Sequence, residues 1–274
     1  MTAATPTPTA GSAAIHTGPT RTWPVTTALA RRSLLGMARV PATVIPVVIM
    51  PVFFTIAFSG AFSALTELPA FPTDDILNWM VPFAVLQGAA FAGLGASFGV
   101  GRDLENGFYD RLLLAPAPRR ALFFGPVLFS AGRAMLPFCV VLPIGLLGGA
   151  RLVDPVAGVV VLFVAAVGCA VVSALWGLGV TFRTKTQRSG SLVQVGIFIT
   201  IFLSTGQVPL TVMTGWLYEV ASRNPFTALL ALARQGFIEP GVAWDTTWPG
   251  LVAIAVGLVG LGWFAERGFR RLVP

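Results

Sequence analysis

The run "ILNWMVPFAVLQGAAFAGLGASFGVG", residues 76–101, contains 26 residues and no charge. About 20 apolar residues in a helix, at ~1.5 Å of rise each, cross the hydrocarbon core of a bilayer. The run is long enough to span and too long for an ordinary buried helix of a soluble domain. Uncharged runs at 41–66, 134–150, 155–182, 189–208 and 246–265 repeat the pattern on either side of it. Only 11% of the chain is charged and 55% is hydrophobic, against about a quarter charged in soluble domains. Period-two alternation is missing and the runs far exceed the ~10-residue strands of a transmembrane barrel, so the backbone must be satisfied within helices. The sequence predicts an all-α membrane protein with six transmembrane helices.

Basic residues set the orientation. Arg21, Arg31, Arg32 and Arg39 precede the first run, and Arg102, Arg111, Arg119, Arg120 and Arg133 follow the second. Arg183, Lys185 and Arg188 follow the fourth, and Arg267, Arg270 and Arg271 follow the sixth. The alternate connections hold only Arg151, Arg223 and Arg234. Fifteen against three places both termini in the cytoplasm by the positive-inside rule. The net charge of +7 is then a topology signal, because a nucleic-acid face is not divided among four loops.

Residues 1–22, rich in Thr, Pro and Ala and holding the lone His16, have the composition of a disordered cytoplasmic tail. Residues 23–40 read as an interfacial elbow helix, with Arg32 and Arg39 on one face toward anionic headgroups. Its "RRSLL" looks like a twin-arginine signal, but the apolar run that follows is long enough to span and carries no small-residue cleavage site. Residues 41–272 form the remaining six-helix domain. One helix over 121–150 would put Arg133 near its middle, so the expectation is an interfacial segment at 119–132, Arg133 snorkelling to the cytoplasmic boundary, and a span from Ala134, with a functional arginine inside the membrane as the alternative. Between the fifth and sixth runs, residues 206–240 are outside by charge yet still apolar. They predict a pair of short helices dipping back into the outer leaflet.

Little in the chain supports bond-making chemistry. There is no Gly-Lys pair, hence no P-loop to cradle nucleotide phosphates. Asp74 and Asp75 lack a second acidic motif for a metal-diphosphate site and read as a solvated outer loop. Ser97 and Ser173 lie in runs without a histidine base. Cys139 and Cys169 read as small packing residues. The pairs Gly95/Gly99 and Gly145/Gly149 have the spacing that lets helix backbones approach. Mid-span Gln87, Gln194 and Thr200 do not titrate, so energy for any transport should enter at the cytoplasmic surface.

That surface holds "GRDLENGFYDRLLLAPAPRR", residues 101–120. Asp103 and Glu105 can sit in the first turn of a short helix that continues through Leu112 and stops at Pro116. A helix charged at one end and apolar at the other suits a groove in a soluble partner.

The stretch resembles the cytoplasmic signature of the type-2 ABC exporter permeases, in particular their daunorubicin-resistance branch, at Glu105, Gly107, Asp110, Arg111, Leu112 and Pro116. A second resemblance runs through Pro209, Leu210, Gly215, Trp216, Asn224, Pro225, Thr227 and Arg234. It implies a coupling helix over 102–118, an elbow helix over 23–39, and re-entrant outer helices before the last span. It also implies a second permease, alike or merely similar, and a cytoplasmic ABC ATPase that carries the ATP and Mg, leaving this chain without a cofactor or catalytic role. Many relatives carry an acidic residue where this chain has Ala231, so no acidic substrate contact is expected in that helix.

Apolar spans with few fixed charges favour an amphipathic or lipophilic cargo, such as a drug. An envelope lipid or glycolipid is the alternative within the same architecture, and a membrane-embedded enzyme or scaffold without an ATPase the alternative outside it. Seventeen Arg against one Lys fits a GC-rich bacterium and its plasma membrane.

Overall fold

Short polar side chains set where the helices start. In the computed structural model, which describes residues 22–272 apart from 41, 43, 116, 239 and 240, Asp75 accepts the amide of Leu77 at 2.8 Å. Asp154 accepts that of Ala157 at 3.1 Å, and Asn224 that of Phe226 at 2.9 Å. Each satisfies a donor that the first helical turn leaves without an intrahelical partner. Pro155 and Pro225 follow two of these caps, where a missing N–H breaks nothing. Asp75, read as part of a solvated acidic pair, is therefore a helix cap.

The described residues form helices and connections without a strand. In chain order they are α1 (Thr22–Ala38), α2 (Ile45–Phe62), α3 (Ile76–Glu105), α4 (Phe108–Leu114), α5 (Arg119–Arg133) and α6 (Met135–Leu147). Then come α7 (Pro155–Thr184), α8 (Ser189–Phe202), α9 (Gly215–Arg223), α10 (Pro225–Arg234) and α11 (Trp244–Arg270). Short 3-10 turns occupy Ser63–Glu67 and Leu210–Val212. Among the described residues five segments are long and apolar enough to cross a membrane: Ile45–Glu67, Ile76–Glu105, Arg119–Leu147, Pro155–Thr184 and Trp244–Arg270.

Helix α3 is the axis of the bundle. Of its most apolar stretch 78% is buried, against 17% for α2 and for α11, and α2, α5, α6, α7, α8 and α10 all pack on it. Its closest neighbour is α7. A Cβ at Gly93 would press into the Ala170 carbonyl, and one at Gly177 would lie 2.8 Å from the Cβ of Ser97. At that crossing Ser97 Oγ lies 2.6 Å from Thr181 Oγ1 and 3.3 Å from the Gly177 carbonyl, the small-residue and hydroxyl contacts that hold helices together in lipid. The perimeter is apolar: Phe53 and Ile56 of α2, Val156 and Val160 of α7, and Val256 and Val259 of α11 are all exposed, as lipid-facing side chains are.

Several expectations need correction. The run at 189–208 is helical only to Phe202, because Leu203 leaves helical geometry, Gly206 follows and Pro209 lacks a donor. At about 1.5 Å per residue its 14 residues reach about 21 Å, short of a ~30 Å core. The segment expected to lie apart at 119–132 is helix α5, which runs into α6 across one residue, Ala134, itself in right-handed helical geometry. Pro137 has no N–H for the Arg133 carbonyl four residues back, which accounts for the interruption. Arg133 is buried within the bundle, 7% exposed. Its guanidinium occupies the space beside Gly95, while nothing lies within 4 Å of a Cβ at Gly99. Neither Gly95/Gly99 nor Gly145/Gly149 brings backbones together: Gly145 abuts the side chain of Val81, and Gly149 is in a connection with φ +119°. Cys169 is buried and points to the Leu86 carbonyl at 3.6 Å, whereas Cys139 is exposed. Residues 1–21, with His16 and Arg21, and Pro116 lie outside the described residues.

Candidate functional site

The charged segments gather at one end of the bundle. Helix α3 does not stop at Gly101 but carries Arg102, Asp103 and Glu105 on its last turn. The two acidic residues therefore close the long helix and do not open the short one as expected. The reason is Gly107, whose φ of +65° makes it the joint before α4. Nothing lies within 4 Å of a Cβ built there, so the requirement is left-handed backbone, which side chains other than glycine's disfavour.

Both sides of this joint are tied down. Glu105 Oε1 accepts the Thr186 hydroxyl at 2.6 Å and the Gln187 amide at 2.9 Å, which clasps the end of α3 to the turn between α7 and α8. A Cβ at Gly101 would lie 2.8 Å from the Gln187 Cα. From the other side Arg32 of α1 pairs with Asp103 at 3.3 Å and lies 4.0 Å from the Phe108 ring centroid. Tyr109 roots α4 by donating to the Leu122 carbonyl at 3.0 Å. Its ring lies 6.2 Å from Phe182 and 6.5 Å from Phe269. Burial, helped by the charge of Asp103, holds the Tyr109 phenol well above its ordinary range, so the hydroxyl stays a donor.

What α4 shows to the outside is different. Asp110 and Arg111 are exposed and Leu114 is 87% exposed, while Leu112 is half-buried against the bundle. Glu105, Gly107, Asp110, Arg111 and Leu112 thus share one short stretch. The sequence reading missed Arg32, Thr186 and Gln187 as parts of it. A signal was available for two of them, since the charge count already places the loop of Thr186 and Gln187 on the same side as Glu105.

At the opposite end α9 and α10 are the expected pair of short helices. Asn224 joins them: its Nδ2 donates to the carbonyls of Thr200 at 2.7 Å and Leu203 at 2.8 Å while its Oδ1 caps α10. Thr227 Oγ1 accepts the Thr205 amide at 3.3 Å. Arg234 is 4% exposed; its Nη2 donates to the Gly206 carbonyl at 2.9 Å, its Nε to the Trp79 carbonyl at 3.3 Å, and its guanidinium lies 3.3 Å from the Trp79 ring centroid. Pro209 is buried, Leu210 begins the 3-10 turn, and Gly215 opens α9 with φ +65°. Trp216 is 69% exposed. A further fastening escaped the sequence reading: Gln235 accepts from the Ala243 amide at 2.9 Å and donates to Thr247 Oγ1 at 3.1 Å, which ties the end of α10 to the start of α11.

At the charged end a cavity of about 1050 Å³ opens among α1, α2, α3, α4, α5 and α8, with Arg133 on its wall. Among the described residues no group of three His, Cys, Asp or Glu side chains could hold a metal ion. The arrangement is one of an exposed charged helix, braces and a cavity.

Residues 24–238 match the family described as ABC-2 type transporter. The chain is similar to "Daunorubicin resistance ABC transporter permease protein DrrB1" of Streptomyces coeruleorubidus, 25% identical over 84% of this chain and 80% of that protein. It is similar to "Probable doxorubicin resistance ABC transporter permease protein DrrC" of Mycobacterium tuberculosis, 27% identical over 77% and 75%. It also resembles the transport permease ycf38 of Porphyra purpurea, 27% identical over 86% and 80%. With five apolar helices among its described residues long enough to span a membrane and a family match over most of its length, this chain belongs to the ABC-2 type transporter family of membrane permeases.

Proposed function

We propose that the chain is the permease subunit of an ATP-driven exporter for amphipathic or lipophilic compounds, in a bacterial plasma membrane. Two such subunits pair, and a separate ABC ATPase binds ATP and Mg on the cytoplasmic side. Both termini face that side, α1 is the elbow helix along the inner leaflet, and α8 is a sixth, short span completed by the connection to α9. In this reading α9 and α10 are re-entrant from the outer leaflet.

One observation carries the reading. Helix α4 presents Asp110, Arg111 and Leu114 outward, while Glu105 at its root is bonded to the α7–α8 turn. A partner pressing on α4 would move α3 and α7 together. An exposed apolar side chain flanked by charges is the composition of a protein contact. The names of the drug-resistance relatives support efflux of a drug. Export of an envelope lipid or glycolipid uses the same architecture and is favoured by the arginines that line the cavity.

Gentle extraction of the tagged chain from its own membrane tests the assignment. A P-loop ATPase should co-purify near equimolar ratio, and Arg111→Glu or Leu114→Asp should lower its recovery about tenfold, equivalent to ~1.4 kcal/mol. The amount of inserted permease should not change. Repeated recovery of the intact chain without an ATPase defeats the reading and returns the membrane-enzyme alternative.

A further inference from the structure

We propose that the cavity among α1, α2, α3, α4, α5 and α8 binds the acidic head of an anionic amphiphile, with its tail along the apolar wall. The inference rests on the exporter reading and narrows its substrate class.

The charge of the lining is one-sided. Arg31, Arg32, Arg39, Arg102 and Arg133 line the cavity, and among the described residues the single acidic lining residue is Asp103, which is already paired with Arg32 at 3.3 Å. The arginines are arranged by depth. Arg39 and Arg102 are exposed at the rim, whereas Arg133 is buried. Gly95 makes room for that guanidinium, since any Cβ there would collide with it. Phosphate and carboxylate heads match the planar donor fork of arginine, and the match strengthens away from water. A cationic drug would meet like charge at every depth.

The rest of the wall suits a tail. Met50, Phe91, Phe98 and Phe198 line it. Helices α2 and α8 meet at Phe54 and Phe202, with ring centroids 6.2 Å apart. Pro46 and Val47 near the start of α2, and Gln194 in α8, are left on the cavity wall. A volume of about 1050 Å³ stands at the top of the ~300–1,000 Å³ range of drug-sized sites.

The test is native mass spectrometry of the full-length permease released from detergent after exposure to equal amounts of phosphatidylglycerol and phosphatidylcholine with identical chains. Phosphatidylglycerol should be retained about tenfold more. Arg102→Gln and Arg39→Gln should each erode that preference, and Arg133→Gln should abolish it while leaving phosphatidylcholine retention unchanged. Arg133→Lys should restore part of it, and Arg271→Gln, away from the cavity, should leave it intact. Equal retention of the two lipids overturns the inference, as does an equal loss in Arg271→Gln, which would report surface charge alone. Displacement of phosphatidylglycerol by millimolar inorganic phosphate with no dependence on chain length also overturns it, because the site would then take a free anion. The rim variants keep the test decisive if Arg133→Gln fails to fold. No ATPase is needed, so a permease that co-purifies with one yet shows no lipid preference defeats this inference alone.

Discussion

Asn224 makes three hydrogen bonds with one short side chain, two as donor to the end of α8 and one as cap of α10. Loss of a cap costs about 1 kcal/mol and each further bond about 1, so Asn224→Ala should destabilise the protein by about 2–3 kcal/mol. Asn224→Asp keeps the capping oxygen and loses both donors, and should fall between. Thermal unfolding in detergent ranks the three, and an Ala variant as stable as the parent would remove the joint from the account. Asn224-Pro225 was legible in the sequence as a break between two short helices. The burial of Arg234 was not, because its carbonyl partners come from Trp79 and Gly206, 155 and 28 residues away. No local pattern announces a partner that only tertiary packing supplies.

Helices are where the sequence reads best, since an uncharged run of sufficient length has no other stable state in lipid. The starts at Ile76, Pro155 and Ser189 are those expected. Ends are harder. Hydropathy stops α3 at Gly101, but charged residues prolong a helix as readily as apolar ones, and only the left-handed joint at Gly107 terminates it. The same limit hid the continuity of α5 with α6, where the composition shift at Arg133 falls inside a nearly unbroken helix. The joint gives a prediction about α4 as a unit. Gly107→Val has ample room yet must pay about 1–2 kcal/mol to hold φ +65°. It should redirect α4 and lower ATPase recovery several-fold, with membrane levels within about twofold of the parent. A valine variant that recovers the ATPase fully would show that the direction of α4 is not set at this residue.

At the scale of the whole molecule, the basic segments of four separate loops meet at one end. Arg32 reaches Asp103, Glu105 reaches Thr186, and Arg119 and Arg120 border the same depression as Glu266 and Arg270. The opposite end joins the starts of α3, α7 and α11, where Arg151 donates its amide to Asn78 at 2.7 Å and Val153 donates to Gly236 at 2.7 Å. By the positive-inside rule this asymmetry predicts an orientation. A cysteine at Asp74, exposed at the second end, should react with an impermeant maleimide in intact cells, and one at Arg111 only after permeabilisation. The reverse pattern would invert the molecule.

The fit of Arg133 against Gly95 also reaches beyond a single protein. Because a methyl group at position 95 would occupy the place of the guanidinium, a side chain there requires the Arg133 head to move, whereas loss of the arginine leaves Gly95 undisturbed. A descendant that lost the arginine would release position 95 to drift toward alanine or serine. One that gained a side chain at 95 would have to re-aim the arginine or surrender it. Across diverging lineages the pair should therefore vary together, glycine wherever arginine persists in this pose, and the joint loss of both should mark the branches whose cargo has changed.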